Sequence, residues 1–207
     1  MHITRSTCLL SALFAFMLSG CSTQPAQSIN EQNWQQHQQH LMQQQHWQLQ
    51  GKMGYRHQGD GGSAWIDWQQ AEHQFDVRLS GPFGAGTTYL KNQPGFTQLI
   101  QSGKEPIVAD SATELTYRLF GWQWPVDDLQ YWVRGLPSPT ANTDKLTLTP
   151  QQLLATLQQS GWQLVFSRYS EHDGYLLPGK IRGVRLNDDS NTSFTLIIKS
   201  WQIEPST

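Results

Sequence analysis

Three histidines, His37, His40 and His46, stand close enough in the chain to invite a metal ion, and the first two would lie one helical turn apart. No Cys or carboxylate accompanies them at ligand spacing, so the segment reads as a solvated Gln/His face and no metal is expected. The run Gly81-x-x-Gly84-x-Gly86 has the glycines of a phosphate loop. It lacks the lysine that would reach a phosphate and leads into Thr87-Thr88-Tyr89-Leu90, a strand pattern, so a loop tip is expected instead. The carboxylate pairs Asp127-Asp128 and Asp188-Asp189 could divide acid and base roles in a hydrolase. The first suits the opening turn of a helix and the second a polar turn. There is no G-x-S-x-G nucleophile elbow. The expectation is a protein that is not an enzyme, with no catalytic residues and no cofactor.

The most specific chemistry belongs to Cys21. An uncharged apolar run from Cys8 to Leu18 follows the basic residue Arg5, which is the layout of a secretory signal peptide and too short to span a bilayer comfortably. It ends in Leu18-Ser19-Gly20-Cys21, which resembles the bacterial lipobox. That resemblance implies diacylation of the Cys21 sulfur, cleavage before it and acylation of the new amino group. Of two cysteines, Cys8 would leave with the signal segment and Cys21 would carry lipid, so no disulfide or thiolate metal site is expected. Ser22 follows the cysteine where Asp would retain a lipoprotein at the inner membrane, so a lipid anchor in the cell outer membrane is expected, with the domain facing the periplasm. Each buried methylene contributes about 0.8 kcal/mol, so three acyl chains hold in effect permanently.

The elements that must present any site follow from periodicity. Residues 1–20 read as the signal peptide, 21–32 as a lipidated N-terminus with a flexible linker, and 33–207 as one domain. Trp34, His37 and Leu41 recur at helical spacing. From Trp47 the period changes to two: Trp47, Leu49, Gly51, Met53 and Tyr55; Ala64, Ile66 and Trp68; Phe75, Val77 and Leu79; then Thr88 and Leu90, Leu99 and Ile107. Turn signals such as Gly59-Asp60-Gly61-Gly62 and Gln93-Pro94-Gly95 separate them, predicting an antiparallel meander. Ser111-Ala112-Thr113-Glu114 is a capping box, predicting a helix through Leu115, Leu119 and Phe120 that stops at Gly121. A second helix is predicted from Val126 to Arg134, closed by Gly135. Thr149 to Ser160 suits either a capped helix or a hairpin turning at Ser160-Gly161, and the hairpin is preferred. Strands are predicted at Ile181 to Leu186 and Phe194 to Trp201 around a polar turn. A net charge of −2 without a clustered basic run argues against nucleic acid. Nine Trp with only 14% charged residues leave more apolar and aromatic surface than solubility requires, some of it free to line a cavity.

In this order the segments resemble the LolB family, outer-membrane receptors of the lipoprotein-localisation pathway. The residues carrying the resemblance are Trp34-Gln35-Gln36-His37-Gln38-Gln39, Trp68-Gln69-Gln70, Gly81-Pro82-Phe83-Gly84, Gln93-Pro94-Gly95 and Trp132-Val133-Arg134-Gly135-Leu136-Pro137, spread from Trp34 to Trp201. The resemblance implies a mostly β fold with an α lid: a single curved antiparallel sheet forming an incomplete β-barrel, with short helices covering its open side and a hydrophobic cavity between. It implies that the cavity accepts acyl chains of client lipoproteins brought by the soluble periplasmic carrier LolA, and that the receptor places them in outer-membrane phospholipid without making or breaking a covalent bond. A monomer is expected. The family carries an apolar residue, usually Leu, at a protruding loop tip implicated in membrane insertion. The matching position here is Phe83, between Pro82 and Gly84. An exposed Phe in such a tight excursion would recover about 1.5–3 kcal/mol on entering a bilayer, although a turn aromatic folded back on the sheet fits the same residues.

Acyl chains expose too much apolar area to cross water unaided, and no Walker motif is present, so transfer would run downhill from carrier to receptor to bilayer. Candidate cavity residues are Ile66, Trp68, Phe75, Val77, Leu79, Leu90 and Leu99 from the sheet, and Leu115, Leu119, Leu129 and Trp132 from the helices. Each suits plain core as well, because periodicity reports which face is buried and not against what. Two rivals remain: an envelope lipoprotein of this architecture that holds another lipid or glycolipid without inserting cargo, and a tethered hydrolase.

Overall fold

The computed structural model describes residues 34–81 and 86–204. The expected signal segment, Cys21 and the linker, and the loop residues Pro82, Phe83 and Gly84, lie outside the described residues. Alternation in the sequence becomes one antiparallel sheet. Strands β1 (His46–His57), β2 (Asp60–Ala71), β3 (Gln74–Ser80), β4 (Thr87–Gln93), β5 (Phe96–Gln101) and β6 (Ile107–Ala109) run as the predicted meander. After two helices come β7 (Thr143–Leu148), β8 (Leu154–Gln159), β9 (Trp162–Ser167), a small hairpin of β10 (Ser170–His172) and β11 (Tyr175–Leu177), then β12 (Lys180–Arg185) and β13 (Ser193–Ile203). The order in the large sheet is β6-β5-β4-β3-β2-β1-β13-β12-β9-β8-β7, with β6 and β7 as free edges, so the barrel stays incomplete. Curvature has a local cause. The β1–β13 register slips between Gln50 and Gly51, and a Cβ at Gly51 would run into the Ile197 carbonyl oxygen, so only glycine lets the two backbones close up at the bulge.

The ambiguous 149–160 stretch is a hairpin. The Thr149 hydroxyl accepts from the Leu153 amide at 3.2 Å while the Thr149 amide donates to the Leu153 carbonyl at 2.7 Å, a turn that ends before β8 begins. β7 escaped the sequence pattern because it is an exposed edge strand with no inward apolar row. The second predicted helix is shorter than expected, ending at Trp132 with Val133 as its cap.

Helix α1 (Trp34–Gln43) corrects one expectation: His37 is 3% exposed, not part of a solvated face. His37 and Leu41 form the buried stripe of a helix whose C-terminal carbonyls are pinned by Arg134, which donates to the Leu41 carbonyl at 2.9 Å and the Gln44 carbonyl at 2.6 Å. His40, one turn further on, is exposed and stacks on Tyr175 at 4.4 Å. Burial, then the nearby His40, lowers the His37 pKa to about 4. The unfolded chain takes up a proton at the ordinary imidazole value near 6.5 while the folded chain does not, so stability is lost as pH falls through that window. Thermal denaturation between pH 7 and pH 4 should show an acid loss of up to about 3 kcal/mol that His37→Gln flattens. Parallel curves for the two proteins would refute the assignment.

Candidate functional site

The concave face of the sheet is closed by helices α2 (Ala112–Phe120) and α3 (Val126–Trp132). The Ser111 half of the predicted capping box forms, with Ser111 accepting from the Glu114 amide at 3.2 Å while the Glu114 carboxylate pairs with Arg118, and Gly121 ends α2 in the left-handed conformation at φ 78°. Side-chain hydrogen bonds of α2 stay on its own turns or reach the 122–124 link, where the Thr116 hydroxyl accepts from the Trp124 amide at 3.1 Å. Its grip on the sheet, over β4, β5 and β6, is through packing. α3 is fastened differently. The fully buried Gln159 on β8 accepts from the Trp132 indole and from the Ser138 amide, each at 2.8 Å, and donates to the Ser138 and Ala141 carbonyls, each at 2.9 Å. One end of the helical cover is therefore clamped and the other rests on apolar contact.

Between cover and sheet lies an apolar hollow. Met53, Ile66, Trp68, Val77, Leu79, Leu90, Phe194 and Leu196 line it from the sheet, and Thr116, Phe120, Trp124, Val126, Leu129 and Val133 from the cover. Thr116, the one polar residue among them, has its hydroxyl occupied by the Trp124 amide and the Thr113 carbonyl. The free space is about 50 Å³. That is well below the roughly 300–1,000 Å³ of pockets that hold a drug-sized ligand. The hollow is held nearly closed, because Phe120, Trp124 and Val126 fill it from the cover with the chain's own apolar bulk. Trp122, Trp124, Trp162 and Phe194 pack ring on ring behind it, with the Trp122 and Trp124 centroids 4.5 Å apart. The Trp122 and Trp124 indole nitrogens are buried without an acceptor.

Of the candidates from periodicity, Ile66, Trp68, Val77, Leu79, Leu90 and Leu129 line the hollow. Leu99, Leu115 and Trp132 are fully buried core beside it, and Leu119 is half-buried at the edge of the cover. Phe75 faces the far end of the sheet, where a polar groove of about 390 Å³ opens among glutamines and His46. Met53, Phe194 and Leu196 share faces already legible in the alternation. Trp124, in the irregular link between helices, carries no periodic signal at all. Asp127 and Asp128 occupy the first turn of α3, where burial and then Asp128 raise the Asp127 pKa. Asp188 is engaged by Ser190 in the polar turn. Among the described residues no three His, Cys, Asp or Glu side chains converge as a metal site.

The chain's class of fold is an incompletely closed antiparallel barrel with a helical cover seated on an apolar hollow. Two solved structures share it: an outer membrane lipoprotein-sorting protein domain from Vibrio parahaemolyticus, with TM-score 0.56, 8% identity and coverage of 84% of this chain and 93% of that one, and a LolA superfamily protein from Nitrosomonas europaea, with TM-score 0.52, 6% identity and coverage of 79% and 88%. The sequence narrows the class. Residues 45–201 match the family described as outer membrane lipoprotein LolB. The chain is 37% identical over 199 residues to the outer-membrane lipoprotein LolB of Stutzerimonas stutzeri, covering 94% of each. It is 37% identical over 203 residues to that of Cellvibrio japonicus, covering 96% of this chain and 98% of the relative. The chain belongs to the LolB family of outer-membrane lipoproteins.

Proposed function

We propose that this protein is an acyl-anchored receptor on the periplasmic side of the outer membrane, tethered through Cys21, that takes lipoproteins from the carrier LolA and inserts them into the bilayer. One observation carries the proposal: an apolar hollow whose cover is clamped by hydrogen bonds at one end and, among the described residues, packed on the sheet by apolar contact at the other. Apolar contact is the interaction an acyl chain can replace in kind. An entering chain displaces Phe120, Trp124 and Val126 from the hollow and contacts the same sheet residues they covered, so opening exchanges one buried apolar surface for another. The hinge falls between Gly121, where α2 ends, and the Gln159 clamp on the far side of α3. Among the candidate residues, Ile66, Trp68, Val77, Leu79, Leu90 and Leu129 would meet the chain directly. Leu99, Leu115, Leu119 and Trp132 would support the walls. No bond is made or broken, and the direction of transfer follows the ordering of affinities from carrier to receptor to bilayer.

Incubating LolA loaded with an acylated lipoprotein with the receptor, in the absence of nucleotide, should yield a receptor–lipoprotein complex by native mass spectrometry, and added liposomes should then collect the cargo. Recovery of free phospholipid alone would replace this reading with a lipid-binding protein that has no role in lipoprotein receipt.

A further inference from the structure

Among the described residues, the outer face of the sheet gathers more cations than carboxylates. The strand register sets Lys180, Ile197, Lys52 and Trp65 side by side across β12, β13, β1 and β2. The next register row, Ile181, Leu196, Met53 and Ala64, points inward and is buried. Arg182 lies two residues along β12 from Lys180, and Arg78 and Lys199 flank the other side of the row. Lys52, Arg78, Arg182 and Lys199 are exposed. The ion pairs among the described residues are His46–Glu204, Lys91–Asp76 and Arg118–Glu114, so none of these five cations has one. The carboxylate in their midst, Asp67, stands across from Arg78 in the register and accepts from the Gln48 amide at 2.8 Å and the Gln50 amide at 3.1 Å, and its single negative charge leaves the group net positive. Trp65 is 55% exposed, and beside it a groove of about 240 Å³ runs between Arg78, Ser80 and Lys199. In a chain of net charge −2 this is a segregation of charge.

We propose that the outer face centred on Trp65 is a landing surface for anionic phospholipid, with the indole at headgroup level and Lys52, Arg78, Lys180, Arg182 and Lys199 facing lipid phosphates. The proposal rests on the reading that the protein is membrane-tethered. It adds the face on which the domain lies. An amphipathic indole flanked by Lys and Arg is the residue set that settles at a membrane–water boundary, where an anionic surface attracts each cation. An acyl tether turns such a weak surface into an intramolecular contact, so the patch need not bind vesicles tightly by itself. An acidic protein partner would satisfy the charges equally but would not call for a solvent-exposed Trp beside a groove that fits one headgroup.

The acylated mature chain, reconstituted in vesicles of phosphatidylethanolamine with phosphatidylglycerol or of phosphatidylcholine alone, tests this by amine labelling read by mass spectrometry. Lys52, Lys180 and Lys199 should label at least about fivefold more slowly with phosphatidylglycerol, while Lys104 and Lys145 stay unchanged. About 0.5 M salt should erase the contrast by screening. Brominated phosphatidylglycerol should quench a component of the emission that Trp65→Phe removes. Equal labelling in the two vesicles, or protection that needs added LolA, overturns the proposal. The measurement uses no cargo, so failure of the receptor reading would leave the labelling contrast intact, and loss of the contrast would leave carrier-to-receptor transfer intact.

Discussion

Replacing Gln159 with alanine should cost about 3–5 kcal/mol of folding stability, because one fully buried amide satisfies five groups, three of them buried. Its loss strands the Trp132 indole, the Ser138 amide, the Ser138 and Ala141 carbonyls and a contact to Thr143. Each stranded buried group costs about 1–3 kcal/mol, discounted where water enters the vacated space. Gln159→Glu is the sharper companion: it keeps the acceptor for Trp132 and Ser138 but loses the donor to the two carbonyls. Denaturant unfolding should order the proteins as wild type, Gln159→Glu and Gln159→Ala in either sequence, with both variants well below wild type. A change within about 1 kcal/mol for both would show that the clamp on α3 is not what holds the cover.

The largest functional effect is expected at Phe83. Phe83→Glu should leave the fold and the acceptance of cargo from LolA intact while slowing delivery to liposomes by about a hundredfold or more, from a forfeited burial of about 1.5–3 kcal/mol and a charge placed where the bilayer excludes it. Phe83→Leu should retain delivery if hydrophobicity at the tip is what the proposed step uses. Measuring acceptance and delivery separately decides the matter. Wild-type delivery by Phe83→Glu would remove the loop from the mechanism.

Much of the fold was legible because its signals are periodic. Trp47 to Tyr55, Ile66 to Trp68 and Phe75 to Leu79 alternate, and each became a strand with those residues inward. The capping box at Ser111 and the stop at Gly121 fixed α2 to the residue. What was not legible depended on partners distant in the chain. His37 reads as one polar residue among glutamines, and only the docking of α1 under Arg134 buries it. Gln159 ends an unremarkable strand, and its importance lies in the loop after α3 that folds over it. For the hollow, alternation placed Leu99 and Leu90 on one face with equal force, but only Leu90 meets the space beneath the cover. Trp124 was invisible because an irregular link has no period.

The place of β13 has a consequence for how the molecule is made. The strand synthesised last among the described elements sits in the middle of the sheet, between β1 and β12, and the Gln44 side chain reaches the Glu204 carbonyl 160 residues away. Emerging from the ribosome or the secretion channel, the chain can assemble its first meander but must leave the β1 edge open until the final segment arrives. Such distant pairing slows folding and leaves an unpaired strand edge exposed until then. Truncation before Ser193 would leave two half-sheets with no ladder to join them.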